Sequence, residues 1–286
     1  MEGERLKPLP CSVKRLMLSI DGAILDFKQL DLLANGDSSL HRLDPRAKVL
    51  ATLIFIISVV SFGKYELSAL LSFFIFPAVL IGIANLPAGF ILRKAILVLP
   101  FAFVVGLFNP VLDRAPLVTV GTMVISGGIV SWIAIMAKAM LTVTAALILV
   151  AITGFPAICR ALEQMGTPQA FVIQLMFLYR YIFVLTEEAG RTSRARQLRA
   201  CGKKGLGIAS YGSMIGHLLL RTWQRAERVH MAMIARGFDG EFHTRQLARF
   251  GMAEAVFLIG WGVLFVTFRL YNLPQLLGGL ITGILS

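Results

Sequence analysis

TPQAFVIQLMFLYRYIFVLTEEAGRTSRARQLRA, residues 167–200, reads as one helix in two solvents. Thr167-Pro168 suits a helix start, with a cap at Thr167 and proline at the first helical position. Nothing breaks the helix before Cys201-Gly202. About 33 residues at 1.5 Å each reach about 50 Å. The first half, FVIQLMFLYRYIFVLT, is apolar enough to touch lipid or a membrane bundle, whereas EEAGRTSRARQLRA needs water or a partner. A helix running from bilayer to cytosol predicts an integral membrane protein around it.

The remaining sequence agrees. The 286 residues are 57% hydrophobic and 15% charged, and the mean hydropathy of +0.76 lies well outside the range of ordinary soluble domains. Lysine and arginine number 28 against 16 acids, a formal net charge of +12. Membrane topology accounts for that excess better than nucleic acid does, because basic residues collect in cytoplasmic loops. The first 35 residues mix polar and apolar types and lack the continuous apolar core of a cleavable signal. Cys11, Cys159 and Cys201 are widely spaced and form no CxxC pair, so neither a disulfide framework nor a zinc site is suggested.

A helix crossing about 30 Å of hydrocarbon needs about 20 residues. Five stretches qualify: 46–62, 65–84, 95–112, 129–153 and 252–270. The first is short. The tail 273–286 is apolar but brief and Gly-rich, and a sixth, partial span there is left open. Eight basic residues precede residue 49, Arg93 and Lys94 fall in the second loop, and fourteen fall between 154 and 250. Those three regions are expected in the cytoplasm, and the loops 63–66 and 113–128 outside. The expected fold is therefore an all-α integral membrane protein of about five transmembrane helices. A cytoplasmic segment 1–45 precedes spans one to four (46–153), a long cytoplasmic helical insertion (154–250) separates spans four and five, and 251–286 forms the last span and tail. Weakly amphipathic stretches within 1–45 suit either the membrane surface or a partly ordered tail.

Within the insertion a second long helix is expected from near Gly205 or Gly207 to Arg236. Its stripe is Ile208, Tyr211, Ile215, Leu218, Thr222, Ala226, Val229 and Met233, at spacings of three and four. Arg221, Arg225 and Arg228 share another face, most simply a solvated or headgroup-facing surface. Both long helices end alike. Ala195-Arg-Gln-Leu-Arg199-Ala200 and Ala232-Met-Ile-Ala235-Arg236-Gly237 each set an alanine one turn before an arginine that a small residue follows. Alanine at i and arginine at i+4 share a face, giving a flat spot beside a planar fork that suits bidentate pairing with a carboxylate. Helix capping explains one such end, with Gly237 free to take the left-handed conformation, but not the pair.

These paired Ala-x-x-x-Arg-small motifs between membrane spans resemble those of the T component of energy-coupling factor (ECF) transporters. LHRLDPRAKVLATLIF at 40–55 is similar to the start of that family's first span, and RAERVHMAMIARGFDGEF at 225–242 to its second coupling motif. Both stretches point to the CbiQ branch, associated with cobalt and sometimes nickel uptake. The resemblance covers most of 38–270 and implies an energy-coupling subunit of an ABC-type importer in the inner (plasma) membrane, multi-pass with its N-terminus in the cytoplasm. Its coupling helices would dock on two ABC-type ATPase subunits through Ala195, Arg199, Ala200, Ala232, Ala235, Arg236 and Gly237. A separate small membrane S component would bind the substrate, and ATP and magnesium would belong to the ATPases. Ala200 departs from the glycine common at its position, which puts the capping of the first motif in doubt.

The residues fit this division of labour. No GxxxxGK[ST] phosphate loop is present, since GKKGLG at 202–207 lacks the spacing. His41, His217, His230 and His243 form no HxxxH or HxH cluster. No catalytic residue, metal ligand or cofactor is therefore assigned to this chain, and nucleic acid is not expected as a partner. Two other readings stay open at this point. A self-contained secondary transporter or channel would rest on Lys138 inside the fourth span. A membrane enzyme would need a nucleophile motif or paired carboxylates, and neither is visible.

Overall fold

The structure is a computed structural model that describes residues 29–63, 66–109, 116–120, 123–199, 208–238, 240 and 251–270. The tail 273–286 and most of the N-terminal segment lie outside those residues. Two compact units share the chain, one of Leu30–Met165 with Gln246–Ser286, the other of Met1–Gln29 with Gly166–Arg245.

The first unit is built around the helix α2 (Pro45–Val60), which follows the single turn α1 (Ser39–Arg42). Asp44 caps α2, its carboxylate accepting from the Arg46 N–H at 2.9 Å, and Pro45 opens it. The Asp-Pro pair thus supplies both an acceptor for an orphan amide and a preset φ. At 16 residues, or about 24 Å, α2 is shorter than the hydrocarbon it was expected to cross. It packs instead on α7 (Gly127–Thr153), α8 (Phe155–Gln164) and α11 (Met252–Leu270).

Proline divides the next two expected spans. The second becomes α3 (Leu67–Ser72) and α4 (Ile75–Ala84), with the break at Phe73-Phe74. Pro77 lies four residues after Phe73, so its ring would clash with that carbonyl in a continuous helix. The third becomes α5 (Ala88–Ile96) and α6 (Leu99–Gly106), where Pro100 excludes continuity with Ile96 for the same reason. Together Ala88–Gly106 is long and apolar enough to cross a membrane, and so are Gly127–Thr153, Gln169–Ala195 and Met252–Leu270, with Ala69–Ala84 as a shorter apolar helix. This corrects the sequence reading in two places. The third span starts at Ala88 rather than 95, and Arg93 and Lys94 sit in the last turn of α5 instead of a loop. The expected outer loop 113–128 also contains structure. Pro116–Val120 (β1) pairs antiparallel with Met123–Ser126 (β2), two short strands of mainly β-branched residues, the only strands among the described residues.

Aromatic rings fill the centre of this unit. Phe55 of α2 stacks on Phe76 of α4 at 4.5 Å and meets Phe265 of α11 at 5.4 Å, while Phe73 lies 5.1 Å from Phe62. Phe55, Phe73, Phe76 and Phe265 are all buried. Lipid is as apolar as leucine, so such close ring packing, rather than hydrophobic expulsion, holds membrane helices together. Gly106 is required where α6 meets α7, because a Cβ there would overlap the Trp132 indole.

The second unit contains α9 (Gln169–Arg199) and α10 (Ile208–Ala235), which touch one another. The start of α9 and the end of α10 fall within two residues of expectation, while the expected end of the first helix and start of the second, within 200–207, lie outside the described residues. The stripe on α10 is rotated, however. Met214, Leu218, Thr222, Arg225, Val229 and Met233 are half-buried, whereas Ile215 is 61% exposed. Arg225 takes the inward place expected of Ala226 because its guanidinium reaches a carboxylate on α9 while its stem packs.

Candidate functional site

The two motif-bearing helix ends are the place to look for coupling. At the end of α10, Ala235 is the last helical residue and Arg236 and Gly237 form the turn. Gly237 has φ +77. Its N–H donates to the Ile234 carbonyl at 2.9 Å, and the Phe238 N–H donates to the Met233 carbonyl at 3.0 Å. This pair of bonds closes the helix in a Schellman motif and satisfies two carbonyls that would otherwise lack donors. Nothing lies within 4 Å of the place a Cβ would take on Gly237. Backbone conformation, not crowding, therefore calls for glycine. Ala232, Ala235, Arg236 and Gly237 are all exposed. The guanidinium consequently stands at the negative end of the helix dipole beside a flat surface of small residues.

Toward the end of α9, Ala195 is exposed, and Arg199 is the last described residue of the helix. Ala200 lies outside the described residues, and with it the capping of the first motif.

Two long-range features were not legible in the sequence. Glu188, 21% exposed, receives two arginines from α10, Arg221 at 3.6 Å and Arg225 at 3.5 Å. The arginine face expected to be merely solvated is therefore partly an interhelical contact, with Arg225 half-buried and Arg221 and Arg228 exposed. The spacing of Arg221 and Arg225 by one turn was the available signal, but nothing local named Glu188 as the partner. In the first unit, Lys138 donates to the Phe62 carbonyl at 2.5 Å. Beside it, Arg269 bonds the Ser61 carbonyl and the Glu66 carboxylate, each at 3.2 Å, and covers the Phe62 ring at 4.4 Å. Together these cations cap the C-terminal end of α2. A matching clamp holds its start, where Glu254 accepts from Gly251 N–H at 2.9 Å and from Asp44 N–H at 3.4 Å.

Candidate metal ligands do not converge among the described residues: no three His, Cys, Asp or Glu side chains form a group. His41 is used locally, its Nε2 donating to the Leu33 carbonyl at 2.9 Å and its Nδ1 bonded to the Ser38 hydroxyl at 2.6 Å. Cys159 is 1% exposed, and burial pushes its thiol above the ordinary range while neighbouring Arg160 acts in the opposite direction.

Comparison with known proteins joins these features. The family described as cobalt transport protein, CbiQ, matches residues 36–247. The energy-coupling factor transporter transmembrane protein EcfT of Heliobacterium modesticaldum is 28% identical over 246 residues, covering 79% of this chain and 91% of that protein. Shorter matches are stronger in identity. An uncharacterised protein of Methanocaldococcus jannaschii is 33% identical over 86 residues, 29% of this chain and 32% of that one. A putative fused cobalt transport protein CbiMQ of Methanocorpusculum labreanum is 34% identical over 84 residues, 28% of this chain and 13% of that one. The chain thus matches a third or less of the length of these last two relatives. Since the family match runs from Gly36 to Leu247 and includes both Ala-x-x-x-Arg motifs, this multi-pass membrane protein belongs to the CbiQ cobalt transport family and is a transmembrane (T) component of the ECF transporter type.

Proposed function

We propose that this chain couples ATP hydrolysis by two cytoplasmic ABC-type ATPase subunits to movement of a separate substrate-binding membrane subunit, with cobalt or nickel ions as cargo. The N-terminus and residues 154–250 face the cytoplasm of an inner (plasma) membrane. ATP and magnesium are held by the ATPases. The observation that carries this reading is the end of α10, where an exposed arginine stands on a Schellman-capped turn among exposed alanines. Arg236 enters an acidic or carbonyl-lined groove on one ATPase, and Arg199 does the same on the second. The rival reading of a self-contained transporter rested on Lys138, whose ammonium is engaged by the Phe62 carbonyl.

The decisive experiment is copurification with the ATPases encoded beside this chain, followed by metal uptake in reconstituted vesicles. Two docking points act with avidity, so single Arg199→Glu and Arg236→Glu variants retain some assembly, while the double variant loses both ATPases. A double variant that keeps both ATPases and transports would reduce these arginines to helix-end charges.

A further inference from the structure

Glu188 joins the two long helices. It lies on α9 where the sequence changes from apolar (FVIQLMFLYRYIFVLT) to charged (EEAGRTSRARQLRA), and it is the carboxylate that Arg221 and Arg225 share. Glu188 precedes Arg199 by eleven residues, and Arg225 precedes Arg236 by eleven residues. At 1.5 Å per residue each interval is about 16 Å of helix. The other arginine of the contact, Arg221, precedes Arg236 by fifteen residues, about 22 Å of helix, so the contact lies several turns from both proposed docking arginines. An open cleft of about 320 Å³ adjoins it, lined also by Val184, Arg191 and Thr192. Arg191 itself pairs with Glu187 at 2.5 Å, one turn apart on α9, and also feels the charge of Glu188.

Such a contact adds little stability. The two arginine side chains are 65% and 41% exposed, and ion pairs in that setting are largely offset by screening and side-chain entropy. Its value is geometric. One carboxylate held by two guanidiniums a turn apart defines where along its length α10 crosses α9, which apolar contacts between two long helices define poorly because they slide by a turn at small cost.

We propose that Glu188, clasped by Arg221 and Arg225, is the pivot of the two coupling helices, a positioning residue that makes motion at the Arg199 end and the Arg236 end one movement. This rests on the proposed function. With the clasp intact, displacement of either tip by its ATPase turns both helices about a common point. Without it the tips still dock and the ATPases still turn over, but the strokes are no longer transmitted together.

The test uses the full chain and the full complex. On a chain whose native cysteines are replaced by serine, spin labels at Leu198→Cys and Gln224→Cys in lipid nanodiscs report the distance distribution between α9 and α10. In the reconstituted transporter, cobalt or nickel ions moved per ATP hydrolysed are measured for Glu188→Gln, Glu188→Asp and the charge-reversed triple variant Glu188→Lys, Arg221→Glu, Arg225→Glu. Glu188→Gln is expected to broaden the distance distribution and to lower the ions moved per ATP several-fold while copurification with the ATPases persists. Glu188→Asp should fall between it and the native protein. The triple variant should recover both readouts, which a purely local role of Glu188 in helix α9 would not allow. A Glu188→Gln protein with an unchanged distribution, or with a broadened distribution and unchanged ions per ATP, would overturn the pivot. If the native chain bound no ATPase, the proposed function would fail, while an unchanged Glu188→Gln distance distribution would separately reject the clasp.

Discussion

Arg236 and Gly237 do different jobs at adjacent positions, and substitution separates them. Truncating a charge buried at an interface typically costs about 2 to 5 kcal/mol, largely because its partner is left unpaired. Arg236→Ala should therefore abolish most transport, and Arg236→Glu should be worse through added repulsion. Arg236→Lys should keep part of it, because charge survives while the planar fork is lost. Substrate binding by the partner membrane subunit is expected to persist throughout. Gly237→Ala tests the cap instead. A Cβ at φ +77 costs about 1 kcal/mol with no steric clash to add, so amide exchange at Phe238 should quicken about fivefold with Arg236 chemically intact. Unchanged exchange would mean that the turn reorganises freely. In the first unit, Asp44→Ala removes the cap of α2 and should lower stability by about 1 kcal/mol, read by denaturant unfolding in detergent.

Helices α2 and α7 show how polar groups inside a membrane segment are settled. The Lys138 ammonium would be costly in lipid on its own, and it is placed on the Phe62 carbonyl just past the end of α2, beside Arg269 on the Ser61 carbonyl. Replacing it by methionine leaves the Phe62 carbonyl short of a donor, at a cost of about 1 to 3 kcal/mol. Lys138→Met is therefore expected to lower the melting temperature of the purified chain while metal uptake per folded molecule stays near native. Loss of uptake without loss of stability would instead place Lys138 on a transport path. The broken helices α3–α4 and α5–α6 carry a similar lesson. Pro77 and Pro100 lie inside stretches read as continuous spans, because a window of hydropathy reads through a proline, which changes backbone continuity without making a segment less apolar.

Topology follows from charge and is tested on intact cells. Fourteen basic residues within 154–250 predict a cytoplasmic location for that segment. A cysteine at Thr119, in strand β1, should react with an impermeant maleimide added outside, and one at Lys203 should not. The reverse pattern would invert the membrane orientation. The division of labour predicts in addition that the isolated chain gives no one-to-one calorimetric isotherm with cobalt or nickel and hydrolyses no ATP. A stoichiometric isotherm that survives removal of any affinity tag would move metal recognition into this chain.

Residue types, periods and caps were enough to establish a helical membrane protein, two long helices between its apolar segments, and the capped turn that follows the second of them. Those properties depend on neighbours within a turn or two, and Gly237 shows the point, since its left-handed cap closes on Met233 and Ile234. Local sequence did not name the partner of Lys138, which lies 76 residues away at Phe62, or tie Glu254 to Asp44 across 210 residues. Nor did it turn Arg225 inward to Glu188. A charge in the sequence announces that it needs a partner, but which one it finds depends on how the chain folds back, and only the tertiary structure decides that.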